Sequence, residues 1–555
     1  AFRERTSNRT GMLLSIEELI GLVHIPDASV RQVAFLREDK RSKATPASAL
    51  GHAYVLGENN HRGNRSFVSL DTTSRLQHVH VLGASGTGKS TLLLQLIIQD
   101  IQQGHGVAVL DPHGDLVDDV LARIPDERQA DVVVFDPADE ECPVGLNVLS
   151  ARTTLEKQLL ASDLVGIFQR LSTSWGDTMG AVLSNAVLAI LEHREGGTLL
   201  DLRRLLLDER FRREYLRGVA DEEVQFFWTK GFPLIGTRSV GPILTRLDAF
   251  LRPKLIRHIV GQREPRCDLG TVMSGGQIFL AKLSQGLIGI ENASLLGSLL
   301  ATRLHQLALA RQQTTRAARR PFFLYADEAQ HFVTPSMAAL LTDVRKYAFG
   351  LVLSHQNLFQ IRGTPVESAL LGNAFTRIAF RVGDEDAKKL AEGCSFFEAQ
   401  DFRGCGRGEA IVRIGTADGD CNLQTLPLGD IDLAEADARR AAILTASRTA
   451  FGMPLAEVQA LVAMAYGRAD ENQEAPAKPA SKTLATEPVM EAPVTVPAPL
   501  PAPATVSLRL RTVPPETPLP DLGRGGPEHK YLQHLVRRLA EERGFRATIE
   551  APAGD

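Results

Sequence analysis

Cysteine is scarce in this chain of 555 residues. The five present, Cys142, Cys267, Cys394, Cys405 and Cys421, are odd in number and show no C-x-x-C spacing. That argues against a disulfide framework or a zinc site and fits a reducing compartment. Long apolar runs are missing too. The best stretch, Ala293 to Ala310, is broken by Arg303, His305 and Gln306. It falls short of the roughly 18 to 20 apolar residues that a membrane helix needs. No charged-then-apolar leader opens the chain, which starts at Ala1, and attachment through a preceding segment stays open. Neither sign of charge dominates: 62 Lys+Arg against 66 Asp+Glu leave a net charge of −4. Nucleic-acid binding over the whole surface is disfavoured, whereas a local basic lining is still allowed. With 44% hydrophobic and 23% charged residues, the chain is neither collagen-like nor wholly disordered.

What is present divides along the chain. Residues 1–75 read as a β-rich lead-in, with a helical pattern from Ile16 to Val23 and strand-like pieces at Ala53–Leu56 and Ser66–Leu70. From Gln77 to Asn147 apolar runs alternate with helical stretches, the pattern of a parallel sheet with crossover helices. From about Thr153 to Gly261 apolar residues recur at three- and four-residue spacing without a β-rich run, which predicts an inserted all-helical domain. Trp175 and Trp228 fall there and read as core anchors before base-stacking platforms. The alternation resumes at Gln277–Leu283 and continues through Phe322–Tyr325, Leu351–Leu353, Ile378–Val382 and Ala410–Ile414, followed by a helix pair within Asp432–Gly467. Glu471 to Pro527 holds 13 of the 29 prolines and reads as an extended, disordered Pro/Ala-rich linker. Glu528 to Arg543 regains helical periodicity, and a strand-like Arg546–Ile549 follows.

The chemistry begins at Gly83-Ala84-Ser85-Gly86-Thr87-Gly88-Lys89-Ser90. An apolar strand precedes this G-x-x-x-x-G-K-[ST] run, and an apolar helix starting at Thr91 follows it. The glycines let successive N–H groups face one concavity, and the helix N-terminus adds its positive end. Gly83 through Thr91 are the candidate nucleotide contacts. Lys89 is expected on the β- and γ-phosphates, with the Ser90 hydroxyl on Mg²⁺.

A phosphate loop needs a partner carboxylate. Phe322–Ala326 is apolar and ends in Asp327 and Glu328. At the carboxyl edge of a parallel sheet, Asp327 is the candidate Mg²⁺ contact and Glu328 the base that orients the attacking water. An adjacent glutamate favours a hydrolase over a small-molecule kinase, which must exclude water. Gln356, after the apolar run 351–353, is placed to sense the γ-phosphate. Arg377 and Arg381, four apart on one predicted strand, share a face, and one of them is expected to act across a subunit boundary. A polar residue after a strand is also an ordinary loop residue, and an arginine on an alternating strand ordinarily faces solvent. Five arginines between Ala301 and Arg320 (Arg303, Arg311, Arg316, Arg319, Arg320) suit either phosphate contacts in a channel or the capping of a helix end.

Together these motifs resemble a family. Asp111-Pro112-His113-Gly114-Asp115 follows the phosphate loop by one strand, then come Phe135-Asp136-Pro137 and Gly145-Leu146-Asn147. With Asp327-Glu328-Ala329-Gln330, Ser354-His355-Gln356 and the run from Asn373 to Asp386, the chain resembles the FtsK–HerA superfamily of hexameric DNA-translocating ATPases. It is most similar there to the TraG/TraD-like conjugative coupling proteins of type IV secretion, over roughly Gly51 to Leu428. The resemblance implies an α/β fold: a RecA-like, mostly parallel core with an inserted all-α domain, then the linker and a short C-terminal α/β fragment. It implies a core in two parts, residues 76–152 and 271–430, around an insertion at 153–270, with C-terminal helices at 431–470, a linker at 471–527 and a truncated nuclease-like fragment at 528–555.

By position, Lys89 and Ser90 look like the Walker A ligands, Asp327 and Glu328 like the Walker B pair, and Gln356 like the third-motif glutamine. Asp111 resembles a residue near the nucleotide, and Arg377 or Arg381 the arginine finger. The resemblance implies ATP and Mg²⁺ as ligands. It implies DNA, further copies in a hexamer and a relaxase or other secretion proteins as partners. The implied location is cytoplasmic, with the inner face of the cell membrane as an alternative. Coupling proteins of this group usually begin with membrane helices, and none is seen here. A HerA-like repair or defence ATPase, or an ATP-gated recruitment platform with slow hydrolysis, competes with the motor reading. Gly525 to Gln533 resembles the opening of a PD-(D/E)xK nuclease domain. No acid–acid–lysine cluster follows it, and Glu550 alone would not hold a metal for cleavage.

Overall fold

The computed structural model describes residues 40–466 except 152, 171, 173, 174, 333 and 334. The helix expected at Ile16–Val23, the linker and the nuclease-like fragment lie outside the described residues. Among the described residues eleven strands form one sheet: β1 (Tyr54–His61), β2 (Asn64–Leu70), β3 (Val79–Leu82), β4 (Gly106–Asp111), β5 (Val132–Phe135), β6 (Ile278–Lys282), β7 (Phe322–Ala326), β8 (Phe349–His355), β9 (Thr376–Ala379), β10 (Glu409–Ile414) and β11 (Asp420–Gln424). Their order across the sheet is β2-β1-β11-β10-β9-β3-β8-β7-β4-β6-β5.

From β9 to β5 every pairing is parallel. Most of these strands are largely apolar runs because both faces are covered. On one face lies the helix Lys89–Gln102, whose Leu92, Leu96 and Ile97 pack with Val79, Val81 and Ile378. On the other lies Ile290–Ala310, in one core with Leu353, Phe322 and the helices that follow β5. The mostly parallel α/β fold read from the sequence is the fold found.

The four strands beyond β9 are antiparallel. β1 and β2 meet at Arg62 and Gly63, both at positive φ (52° and 84°), as a tight two-residue hairpin requires. Residues read as a lead-in thus extend the core sheet through β11. β11 itself carries no apolar run. Its apolar residues are Cys421 and Leu423, alternating with Asp420, Asn422 and Gln424, and this polar alternation hid it.

Between the adjacent strands β5 and β6 the chain leaves the sheet and, among the described residues, builds helices and no further strand of that sheet, from Thr154–Arg170 and Asp177–Glu192 to Leu269–Gly275. Local caps explain their starts. Thr198 and Asp201 form a reciprocal capping box at Leu199–Leu207. Trp228 is buried, its indole N–H donating to the Asn185 carbonyl at 3.3 Å, so it anchors a core and offers no stacking platform. The helix Leu433–Phe451 covers the β5 edge, with Val134 N donating to Ser447 Oγ at 2.9 Å. Beneath Lys89–Gln102, the fully buried Arg75 donates to Asp100 Oδ2 at 2.6 Å and to Tyr325 Oη at 2.7 Å. This ties the helix to β7. Breaking such a buried pair costs about 3–5 kcal/mol. Among the described residues no helix is long and apolar enough to cross a membrane.

Candidate nucleotide-binding site

Parallel strands place their carboxyl ends on one edge, and the candidate residues sit there. The order β9-β3-β8-β7-β4 sets the phosphate loop after β3 and the acid pair after β7, with β8 and Gln356 between them.

The loop is held from three sides. Gly83 N donates to His355 O at 3.3 Å, Ala84 N to Arg381 O at 2.9 Å, and Gly408 N to Thr87 O at 2.8 Å. Thr87 Oγ1 closes the loop onto Ala84 O at 2.8 Å. Two glycines are required by shape. A Cβ on Gly83 would lie 2.6 Å from Phe380 Cβ. Gly88, at φ 118°, caps the helix Lys89–Gln102 where a Cβ would press on Gly408. Ser85, Gly86 and Ser90 are exposed and Thr91 is half-buried. Lys89 is only 6% exposed, and its ammonium donates to Gly83 O at 2.7 Å and Ala84 O at 3.2 Å. Burial pushes its pKa down, against the pull of Glu328 and Asp327.

Asp327 and Glu328 are both buried. Asp327 N donates to Leu110 O at 3.1 Å, carrying the β4–β7 ladder one residue further. Burial, then the charges of Glu328 and Asp111, push the Asp327 carboxyl up to about 6. The Ser354 hydroxyl pulls the other way, though it makes no hydrogen bond of ordinary geometry. Glu328 sits at φ 46° and ψ 51°. A side-chain-bearing residue there carries about 1–3 kcal/mol of backbone strain. The twist folds the next turn back on it. Gln330 Nε2 donates to Glu328 Oε2 at 2.8 Å, and Gln356 Nε2 donates to Oε1 at 2.9 Å. The carboxylate is gripped by an amide on each oxygen. Gln330 stands in the D-E-A-Q run, yet no spacing rule marks it, because its reach depends on the left-handed backbone at Glu328.

Other candidates part company. Asp111, expected near the nucleotide, is close enough for its charge to act on Asp327, and it accepts from His113 N at 2.9 Å and Val117 N at 3.0 Å, which pins the turn into the helix Asp115–Leu121. β9 ends at Ala379, so Arg377 and Arg381 do not share a strand face as predicted. Arg377 pairs in register with His80, three residues before Gly83. Its half-buried guanidinium donates to Leu371 O and is pushed down to about 10 by burial and by Arg413. Arg381 is exposed beside the phosphate loop, where its carbonyl already bonds Ala84. The arginines from Ala301 to Arg320 do not form a free stripe. Arg303 and Arg311 are buried, Arg311 bonds the carbonyls of Tyr347, Ala348 and Met273, and Arg319 and Arg320 bond those of Lys346 and Gly275. The run leads into the amino end of β7, the sheet edge opposite the phosphate loop.

The residues fit a nucleotide with Mg²⁺. A glycine cradle opens to solvent at a helix start, a lysine faces it from beneath, and Ser90 and Asp327 are hard oxygen donors of the kind Mg²⁺ takes alongside phosphate.

Residues 64–225 match the family model of the type IV secretion-system coupling protein DNA-binding domain. Among solved structures the chain is similar to the bacterial conjugative coupling protein TrwB in its unbound form, at 14% identity and a TM-score of 0.51, over 70% of this chain and 90% of that one. It is equally similar to TrwB in complex with ADP and Mg²⁺, at 14% identity and a TM-score of 0.51, over 73% of this chain and 94% of that one. TrwB with a non-hydrolysable ATP analogue matches at 16% identity and a TM-score of 0.51, over 72% and 94%. At such identity the likeness is one of fold. No curated protein matches the sequence. In domain signature over residues 64–225 and in fold, the resemblance to type IV secretion coupling proteins is borne out.

Proposed function

Starting from a coupling-protein domain on a TrwB-like fold, we propose that this protein is an ATP-hydrolysing motor of type IV secretion. It moves DNA through a ring of identical subunits, a hexamer by likeness. The observation that carries the reading is the Glu328 carboxylate, fixed between Gln330 and Gln356 on the sheet edge that holds a complete phosphate loop. A buried, oriented carboxylate at that place suits water activation and has no use in a mere anion site. The TrwB structures with ADP and Mg²⁺ and with an ATP analogue support the same ligands here.

In this reading the loop amides of 84–90 take the phosphate oxygens. Lys89 leaves its two carbonyl acceptors to meet the β- and γ-phosphates. Ser90 and Asp327 hold Mg²⁺, which when bound withdraws charge from the phosphates. Glu328 accepts a hydrogen bond from the attacking water and aims it along the line of the bond that breaks. Gln356, bonded to Glu328, reports whether the γ-phosphate is present. Arg381, beside the loop, offsets charge on the transferred phosphoryl.

The test is an ATPase assay on the full chain with no DNA, single-stranded DNA and double-stranded DNA. Turnover that rises on adding either DNA supports the motor. Hydrolysis indifferent to both, with DNA bound, would leave a recruitment platform as the better account.

A further inference from the structure

Near the centre of the sheet lie two histidines whose rings take no part in the contacts of the phosphate loop or the acid pair. His80 is on β3 and His355 ends β8, and both are buried. Their rings stack with centroids 4.9 Å apart and planes 17° from parallel, and Nε2 meets Nε2 at 2.7 Å. His355 Nδ1 lies 2.9 Å from the Asn357 carbonyl oxygen. A carbonyl only accepts, so His355 Nδ1 carries a proton. Burial holds His355 down near about 4 and His80 well below its ordinary value, so both rings are neutral at pH 7. Nε2 of His355 is then a lone pair, and His80 Nε2–H is the donor. The proton positions run one way, from His80 to His355 to Asn357.

That chain ends around Gln356. The ring of residue 355 bonds the carbonyl of residue 357 and closes the backbone about the residue between them. The backbone carbonyl of His355 accepts from Gly83 N at 3.3 Å. One residue therefore touches the phosphate loop with its backbone and shapes the Gln356 turn with its ring.

We propose that the His80–His355 pair positions the hydrolytic site, setting the turn from which Gln356 grips Glu328 and keeping it in register with the phosphate loop. His80 acts by fixing the tautomer of His355. Neither imidazole touches the substrate or transfers its proton. The inference rests on the hydrolysis reading above. A displacement of about 1 Å at a reacting group costs on the order of 100-fold in rate, so a loosened turn lowers kcat while the phosphate loop still binds.

Three variants of the full chain test this by steady-state ATP hydrolysis and by nucleotide affinity. His355→Phe removes both ring nitrogens. His355→Asn places an amide N–H near the Nδ1 position, and His355→Gln near Nε2. The expected result is a kcat at least ~10-fold lower for His355→Phe, with KM for ATP within about twofold. His355→Asn recovers most of that loss and His355→Gln does not. Equal rates for the Asn and Gln variants, or a loss confined to KM, would overturn the proposal, and this pair decides even if His355→Phe fails to fold. Lys89→Ala and Glu328→Gln separate the two readings. Parent-like turnover in those variants removes the hydrolysis reading itself. Their loss of turnover beside a parent-like His355→Phe removes only the positioning role.

Discussion

Gln356 Nε2 donates to Glu328 Oε1 at 2.9 Å, linking the tips of two adjacent strands, β8 and β7. The amide of Gln330 takes the other oxygen. Glu328→Gln should keep nucleotide affinity and lose at least ~100-fold in hydrolysis, the usual worth of a positioned base. Gln330→Ala and Gln356→Ala should each lower kcat about 10-fold or more. Because they hold one carboxylate, the double variant should fall short of the product of the two losses. Fully multiplicative losses would mean that the amides act on separate groups.

Lys89→Ala should abolish hydrolysis and weaken ATP binding, since it removes the ammonium beneath the loop. Isothermal titration with ATP and a phosphate-release assay check both effects. Turnover near the parent rate would remove the nucleotide assignment.

Arg381 has its backbone on its own subunit's loop. We take action within the subunit as the prediction, with action across a boundary, the expectation from the sequence, as its alternative. Arg381→Ala should lower kcat, while Arg377→Ala should chiefly lower thermal stability, because Arg377 is half-buried and bonded to Leu371 O. Mixing Arg381→Ala with Lys89→Ala subunits should recover no activity. Recovery in mixed rings would place Arg381 in the neighbour's site.

Stability should fall as pH drops from about 6.5 to about 4. Burial holds His78, His105 and His355 down near about 4, against an ordinary 6.5. Between those values the unfolded chain binds more protons than the folded one, so acid favours unfolding. Asp327, raised to about 6, works the other way between 3.8 and about 6, and the histidines outnumber it. Each histidine contributes on the order of 1 kcal/mol per pH unit at most. His78 accepts from Leu351 N at 3.1 Å through Nδ1, at φ 70°, and protonation would put two donors face to face. His78→Asn tolerates that backbone and should flatten the pH dependence. Melting curves of nucleotide-free protein at pH 7 and pH 5 decide. Equal midpoints in the parent would sink the argument.

Much of the fold and site was legible in the residues. The phosphate loop needed only eight consecutive positions and its flanks, because its function comes from consecutive N–H groups at a helix start. The acid pair was legible because an apolar run ending in Asp327 and Glu328 states its own burial and its own exit. The helical insertion showed in its three- and four-residue spacing. The arginines before Arg320 misled in one of their two readings, since composition does not reveal that Arg311 and Arg319 spend their donors on carbonyls.

Spacing along the chain thus pointed to the candidate residues Lys89, Ser90, Asp327 and Glu328 and to the class of fold, because those signals lie within a few residues of one another. The order of the strands did not follow from spacing. It is set by pairing between segments as distant as Val79–Leu82 and Phe349–His355, where buried apolar faces select the neighbour. That pairing brings Gln356 to Glu328, stacks His80 on His355, and sets Arg381 on the phosphate loop while Arg377 turns away. Such contacts depend on backbone twists and ring orientations that only close packing imposes, so they became visible only with the folded chain.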